Sequence, residues 1–388
     1  MTLRRALPLI ALLASPGAAS AADAPPDCRA PAALDDGWAV AAPAEEGFDP
    51  AQICALGPAL EAWPEGNAHA VLVARHGRLV YERYFAGEDE RWGLPLGRIP
   101  HDAGTKHDLR SITKSVTALL VGIAVDTGWI KDIDAPVLSL LPQYADLRSP
   151  EKDRITLRHL LTMSSGLAWN EELPYSDPRN SERLMSDAPD PYRYVLEQPF
   201  AATPGERWTY SGGATALLAA VLKQVSGRPL DVLAQEVLFT PLGITDVEWV
   251  RYPNGDPVAA SGLRLRPRDI ARIGRLVLDR GAWQGRRIVS AAWVEQATAP
   301  QIGIEDGVDY GFQWWLGRSQ ADGREIRWSA GVGWGGQRLF LVPDHDLLVV
   351  VTAGLYDRPD LQDRLGRTVL DRFVLPAVTG SGAGGPEE

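Results

Sequence analysis

Ser111, Lys114 and Tyr210 are the side chains whose types and spacing could perform covalent chemistry. From Ser111 to Asp126 the chain carries Ile112, Val116, Leu119, Leu120 and Ile123, with Gly128 just beyond. That i, i+4, i+7, i+8, i+11 pattern predicts a helix that buries one face and is stopped by glycine. Ser111 then opens the helix, and Lys114 stands one turn on along the same face. Free N–H groups and partial positive charge gather at such an end. A hydroxyl placed there is a nucleophile whose proton a neighbouring amine could take. A protonated amine accepts no proton, so the chemistry needs burial that favours the neutral form, and arginine could not substitute. A plainer reading makes Ser111 an N-cap and Lys114 a chain reaching for solvent. Ser149 to Lys152 also spells Ser-x-x-Lys, but in a polar, proline-interrupted stretch that predicts a loop and a solvated lysine.

Tyr210 closes the turn-rich run Pro204-Gly205-Glu206-Arg207-Trp208-Thr209-Tyr210, before Ser211-Gly212-Gly213. Leu217, Leu218, Val221 and Leu222 predict a second amphipathic helix from there, ending at Gly227. A phenol at that point is either turn packing or a proton shuttle between nucleophile, lysine and leaving group. A third stretch reads Ser329-Ala330-Gly331-Val332-Gly333-Trp334-Gly335-Gly336-Gln337. It contains G-x-G-x-x-G, yet a strand follows, whereas a dinucleotide fingerprint needs a helix start. Glycines flanking an edge strand instead let a carbonyl approach, and strand N–H groups could complete an oxyanion hole with the N–H of Ser111. A ligand-free glycine-rich bulge is the plain alternative.

These segments need a frame. Val71, Val73, Leu79 and Tyr81 around His76-Gly77 predict a period-2 hairpin, and residues 337–342 and 347–352 around Pro343 to Asp346 predict another. Isolated hairpins are marginal, so both should share one sheet. A terminal helix from Leu361 to Phe373 should cover it, which makes the helical stretch of roughly 110–280 an inserted lobe. Residues 1–21 have the charged, apolar, Ala-x-Ala order of a secretory signal, predicting a periplasmic or secreted chain. A single hydrolase domain would span 22–376, followed by a disordered Gly-rich tail at 377–388. Cys28 and Cys54 are the only cysteines, and in an exported chain they predict one disulfide.

Composition narrows the function classes. The 388 residues hold 39 Lys+Arg against 50 Asp+Glu, a net charge of −11 that argues against nucleic-acid binding. No segment is long and apolar enough to span a membrane. Only five of the basic residues are lysines, which makes one on the apolar face of a helix conspicuous. No histidine pair has i, i+4 metal spacing on a credible helix and no cysteine cluster occurs, so neither metal nor cofactor is expected. His159 reads as a packed imidazole beside a Thr156 N-cap.

Taken together, the segments resemble the penicillin-recognising serine hydrolases, the superfamily of class C β-lactamases, D-Ala-D-Ala carboxypeptidases and related esterases. They look closest to the branch of 6-aminohexanoate-dimer hydrolases and esterases. The resemblance rests on Leu109-Arg-Ser-Ile-Thr-Lys-Ser115, Ile155 to Gly166, Thr209-Tyr-Ser-Gly-Gly213, Leu238 to Ile244, Tyr310-Gly-Phe-Gln-Trp-Trp315 and Gly333-Trp-Gly-Gly-Gln337. It implies an α+β, β-lactamase/transpeptidase-like fold: an antiparallel sheet flanked by helices, with the site at the cleft beside a helical lobe. It implies Ser111 as acylated nucleophile, Lys114 as its base partner, Tyr210 as second proton-transfer residue, and the N–H groups of Ser111 and Trp334 as oxyanion hole. Gly333, Trp169, Trp208 and Trp314 are expected to line the substrate site. Where β-lactamases carry Tyr-x-Asn this chain has Tyr210-Ser211-Gly212, and where they carry Lys-Thr-Gly it has Gly331-Val332-Gly333. The groups that receive an antibiotic's side chain and carboxylate are therefore missing. The expected function is hydrolysis of a small ester or amide, with an amidase of short linear amides, a weak β-lactamase or carboxypeptidase, and an idle envelope binding protein as alternatives.

Overall fold

The computed structural model describes residues 29–305, 307–321 and 323–378. In chain order, β1 (Ala39–Val40), α1 (Pro50–Cys54) and α2 (Leu56–Glu61) precede β2 (Ala68–Arg75) and β3 (Arg78–Tyr84). The hairpin β4 (Ala86–Arg91) and β5 (Leu94–Pro100) and the short β6 (His107–Asp108) follow. The middle holds α3 (Ile112–Asp126), α4 (Leu157–Leu161), α5 (Ser181–Asp187), α6 (Pro191–Leu196), α7 (Gly212–Ser226) and α8 (Leu230–Ala234). Then come β7 (Glu248–Trp249), β8 (Leu263–Leu265), α9 (Pro267–Leu278), β9 (Ala282–Trp283), β10 (Arg286–Arg287) and α10 (Ala291–Ala297). The C-terminal part is β11 (Ile302–Glu305), β12 (Val308–Tyr310), β13 (Trp315–Ala321), β14 (Arg324–Gly333), β15 (Gln337–Val342), β16 (Leu347–Ala353), α11 (Pro359–Arg367) and α12 (Leu375–Ala377).

Nine strands form one sheet in the order β1-β3-β2-β16-β15-β14-β13-β12-β11. Only the β1–β3 contact is parallel. The two expected hairpins thus meet at β2 and β16, paired from Leu347–Arg75 to Ala353–Ala68. His76 (φ 49°) and Gly77 (φ 76°) make the left-handed two-residue turn between β2 and β3. The alternation read in β2 understates its burial, because all eight residues are buried. Ala70, Leu72 and Ala74 enter a core beneath α3 and α9, while Val71 and Val73 enter another shared with α1 and α11. β16 splits likewise: Leu348 and Val350 go one way, Leu347, Val349 and Val351 the other. A sheet covered on both faces accounts for these unbroken apolar runs.

Two boundaries differ from the sequence reading. Helix α9, inside the expected lobe, packs on β2, β15 and β16 and belongs to the sheet's covering layer. Its buried face carries Ile270, Ile273, Leu276 and Val277 in helical spacing. Ala377 and Val378, assigned to the tail, are buried, and Val378 bridges to Phe48. The signal-like residues 1–21, Cys28 and positions 379–388 lie outside the described residues. Among the described residues no helix is long and apolar enough to cross a membrane.

Candidate active site

Ser111 sits at the N-terminus of α3 without spending its hydroxyl on a capping bond. Lys114 Nζ donates to Ser111 Oγ at 3.0 Å and to the Ala260 carbonyl at 3.1 Å. The lysine is 1% exposed, so it does not reach for solvent. The segment around Ala260 is held on α3 by threonines: Thr117 Oγ1 donates to the Ala259 carbonyl at 3.0 Å, and Leu263 N donates to Thr113 Oγ1 at 3.3 Å. Arg110, just before Ser111, has φ 48°, a strained value for a non-glycine residue. Its guanidinium lies over the rings of Trp92 and Tyr356 and pairs with Glu90 and Asp108. These contacts hold the turn that presents the serine.

Tyr210 enters from the start of α7. Its side chain lines the same cleft as Ser111, and its ring lies 4.8 Å from Lys114 Nζ. Burial, then the carboxyl of Glu171, push its pKa up, so the phenol keeps its proton at neutral pH. Ser211, and not the serine of the Ser-x-x-Lys pair, caps its helix: its Oγ accepts from Ala214 N at 3.2 Å.

The third side of the site is the end of β14. It is an interior strand, not the edge strand expected, but its pairing with β13 ends at Ala330–Trp315. Residues 331–333 overhang β13 while still pairing with β15. Val332, Gly333 and Trp334 consequently line the same cleft as Ser111 and Tyr210. A Cβ on Gly333 would stand 2.3 Å from the Leu109 carbonyl, so only glycine lets β14 approach the start of α3. Gly335 (φ 89°) and Gly336 (φ 95°) make the turn beyond it.

The cleft has a volume of about 910 Å³. Its aromatic lining is Trp92, Tyr175, Tyr210, Trp315, Trp334 and Tyr356. Trp169, Trp208 and Trp314, expected as substrate-lining rings, do not line it. Trp314 is fully buried in the core, and its neighbour Trp315 takes the cleft face. Trp208 stands behind, edge-on to Trp315 with centroids 5.5 Å apart. Trp169 packs against Gly213 and donates its Nε1–H to Glu171. His159 completes a capping box with Thr156.

Sequence reasoning missed two acids. Glu171 accepts from Gly212 N and Trp169 Nε1, while Glu182 accepts from Ser261 Oγ at 2.9 Å and Tyr175 Oη at 2.5 Å. Both carboxyls border Gly212, where a Cβ would lie 3.2 Å from Glu171 and 3.3 Å from Glu182. Burial, reinforced by Glu182 and opposed by Lys114, pushes the Glu171 pKa up to about 8. No periodicity marks them: Glu171 lies in an irregular stretch that only the fold brings to α7.

An antiparallel sheet backed by helices, with a serine and lysine at the start of a buried helix, a tyrosine facing them and a glycine-rich strand end opposite, defines a serine hydrolase of the β-lactamase/transpeptidase-like class. The sequence profile of the family described as "Beta-lactamase" matches residues 66–370, and the chain belongs to that family. It is 28% identical over 303 residues to a 6-aminohexanoate-dimer hydrolase of Paenarthrobacter ureafaciens, covering 72% of this chain and 71% of that one. It is 31% identical over 189 residues to esterase EstB of Burkholderia gladioli, 46% of each chain. Among solved structures it is similar to EstCE1, a hydrolase with promiscuous acyltransferase activity, at TM-score 0.62 and 20% identity over 80% of this chain and 97% of that one. An octameric penicillin-binding protein homologue from Pyrococcus abyssi aligns at TM-score 0.61 and 20% identity, over 83% and 77%.

Proposed function

We propose that this protein is an exported hydrolase that cleaves a small ester or amide through an acyl-enzyme on Ser111. The reading is carried by one observation: the Ser111 hydroxyl caps no helix and instead receives a hydrogen bond from the buried Lys114 amine. In the proposed reaction Ser111 Oγ attacks the carbonyl carbon and its proton passes to Lys114. The N–H groups of Ser111 and Trp334 hold the oxyanion. Tyr210, kept as a neutral phenol, gives its proton to the leaving group and is reprotonated from Lys114. Water then releases the acyl group by the reverse route, and no cofactor takes part.

The cleft disfavours an anionic substrate. Glu90, Glu171, Glu172, Glu182, Asp187 and Asp357 line it against Arg110 and Arg183, and Arg110 is paired with acids. The asparagine that β-lactamases carry at Gly212 would crowd both acids, with its Cβ 3.2 Å from Glu171 and 3.3 Å from Glu182, and a Cβ on Gly331 would lie 3.2 Å from Ile112. Both departures disfavour a dedicated β-lactamase or carboxypeptidase. The relative that is a 6-aminohexanoate-dimer hydrolase supports an amidase of short linear amides as the second reading. Rates on p-nitrophenyl acetate and on a short linear amide separate the two. Labelling with a fluorophosphonate probe and peptide mapping tests the centre: modification at Ser111 is expected, and modification elsewhere, or none, overturns the assignment. None at all would favour the idle binding protein. Export and a Cys28–Cys54 bridge are part of the same proposal, read from a non-reduced peptide map of the secreted protein.

A further inference from the structure

Three of the six histidines, with no useful spacing in sequence, meet in one buried place. His69 on β2, Asp89 on β4 and His107 on β6 converge, with His101 just past β5 stacked on His69 at 4.0 Å between centroids. His69 Nδ1 is 2.9 Å from His107 Nε2 and 3.9 Å from Asp89 Oδ1, and His107 Nε2 is 3.5 Å from the same oxygen. Two donors about 2.0–2.1 Å from a tetrahedral ion lie about 3.3–3.4 Å apart; the 3.5 Å separation is near that, while 2.9 Å and 3.9 Å lie about 0.5 Å to either side. The point in their plane equidistant from the three atoms is about 2.0 Å from each, the length of a zinc–imidazole or zinc–carboxylate bond, and a tetrahedral ion, standing out of that plane, needs the three side chains to adjust by a few tenths of an ångström.

The hydrogen bonds around the cluster turn lone pairs inward. His107 Nδ1 donates to the Asp108 carbonyl at 3.0 Å, which leaves Nε2 with a lone pair facing His69 and Asp89. His69 Nε2 is buried and unpartnered among the described residues. With its proton on Nδ1, His69 donates to His107 Nε2; with its proton on Nε2, two lone pairs face each other at 2.9 Å and a cation between them would hold the pair together. His101 Nε2 is also buried and unpartnered among the described residues, 4.0 Å from Asp89 Oδ2.

We propose that His69 Nδ1, His107 Nε2 and Asp89 Oδ1 bind one divalent transition ion of the zinc class, with His101 as candidate fourth ligand. Imidazole with carboxylate suits that class better than magnesium or calcium, which take oxygen shells. Asp89 also accepts from Tyr356 Oη at 3.3 Å, an outer contact that aims the carboxylate. The ion is a structural cross-link outside the reaction. It ties the β4–β5 hairpin and the segment leading into Ser111 to the central strand β2.

The test uses the purified chain, stripped with a chelator and titrated with Zn²⁺ and Co²⁺. One equivalent of zinc is expected to bind and raise the Tm by several degrees. Co²⁺ should give the visible absorption of a four-coordinate histidine site, displaced by one equivalent of zinc. Asp89→Asn keeps the shape and should weaken zinc binding at least tenfold. A wild-type chain that binds neither ion stoichiometrically overturns the proposal in favour of the direct His69–His107 hydrogen bond. So does an Asp89→Asn variant with unchanged affinity. Should that variant fail to fold, the wild-type Co²⁺ spectrum decides alone.

Discussion

The chain spells Ser-x-x-Lys twice, and the two copies resolve oppositely. At Ser149 the hydroxyl accepts from the backbone N–H of Lys152 at 3.1 Å, the ordinary work of a turn serine. At Ser111 that bond is absent and the lysine amine supplies the hydrogen bond. Lys152 lies on a short surface turn, whereas Lys114 is 1% exposed and fixed by the Ala260 carbonyl. Chemistry is therefore set by where the side chains are held. The sharpest way to break the comparison is to remove each hydroxyl. Ser111→Ala should cost about 10⁴-fold or more in kcat/KM on an activated ester. Ser149→Ala should change it less than about twofold and stability by under about 0.5 kcal/mol. Equal effects at the two sites would end the assignment.

The next largest effect probes the partner that only the first copy has. Tyr210→Phe retains the ring over Lys114 but loses the proton that the leaving group needs. A fall of about 10²-fold in kcat is expected, greater for an amide than for p-nitrophenyl acetate, whose leaving group departs unprotonated. Identical losses on both substrates would remove the phenol from that step.

Much of this was legible because the signals are local. The i, i+3 pair on α3, the Gly227 stop of α7 and the glycines of β14 each lie in one short stretch. The sheet was legible because the two hairpins that meet at the β2–β16 pair carry their own turns. What was hidden is what long-range packing decides. Trp314 and Trp315 are indistinguishable in sequence, yet the chain entering β13 sends one into the core and the other into the cleft. Glu171 and Glu182, and the histidines at 69, 101 and 107, belong to segments that only folding joins.

The tryptophan pair offers a third test. Trp315→Ala should raise KM roughly tenfold, worth about 1.4 kcal/mol of substrate contact, with little change in Tm. Trp314→Phe should leave KM alone and cost about 1–3 kcal/mol of stability, read by denaturant unfolding. Reversed outcomes would put the wrong ring in the cleft.

The smallest effect concerns the acid that sets the electrostatics beside Lys114. Glu171 holds its proton up to about pH 8 because burial and Glu182 oppose ionisation. Above that pH a carboxylate appears in the cleft beside Ser111 and Tyr210 and opposes the negative charge that builds on the oxyanion and the phenol oxygen. An alkaline fall in kcat/KM, beginning near pH 8 and amounting to a few-fold, is expected, and Glu171→Gln should move it upward or erase it. The sign for stability is also fixed. Between the ordinary carboxyl value of 4.5 and about 8 the unfolded chain has lost a proton that the native state keeps, so this group's contribution to stability falls as pH rises. The glutamine variant should therefore show a flatter dependence of unfolding free energy on pH in that window. An unaltered alkaline limb, together with an unaltered stability slope, would show that the two acids are packing alone and leave the lysine's contrast with Lys152 to burial and the Ala260 carbonyl.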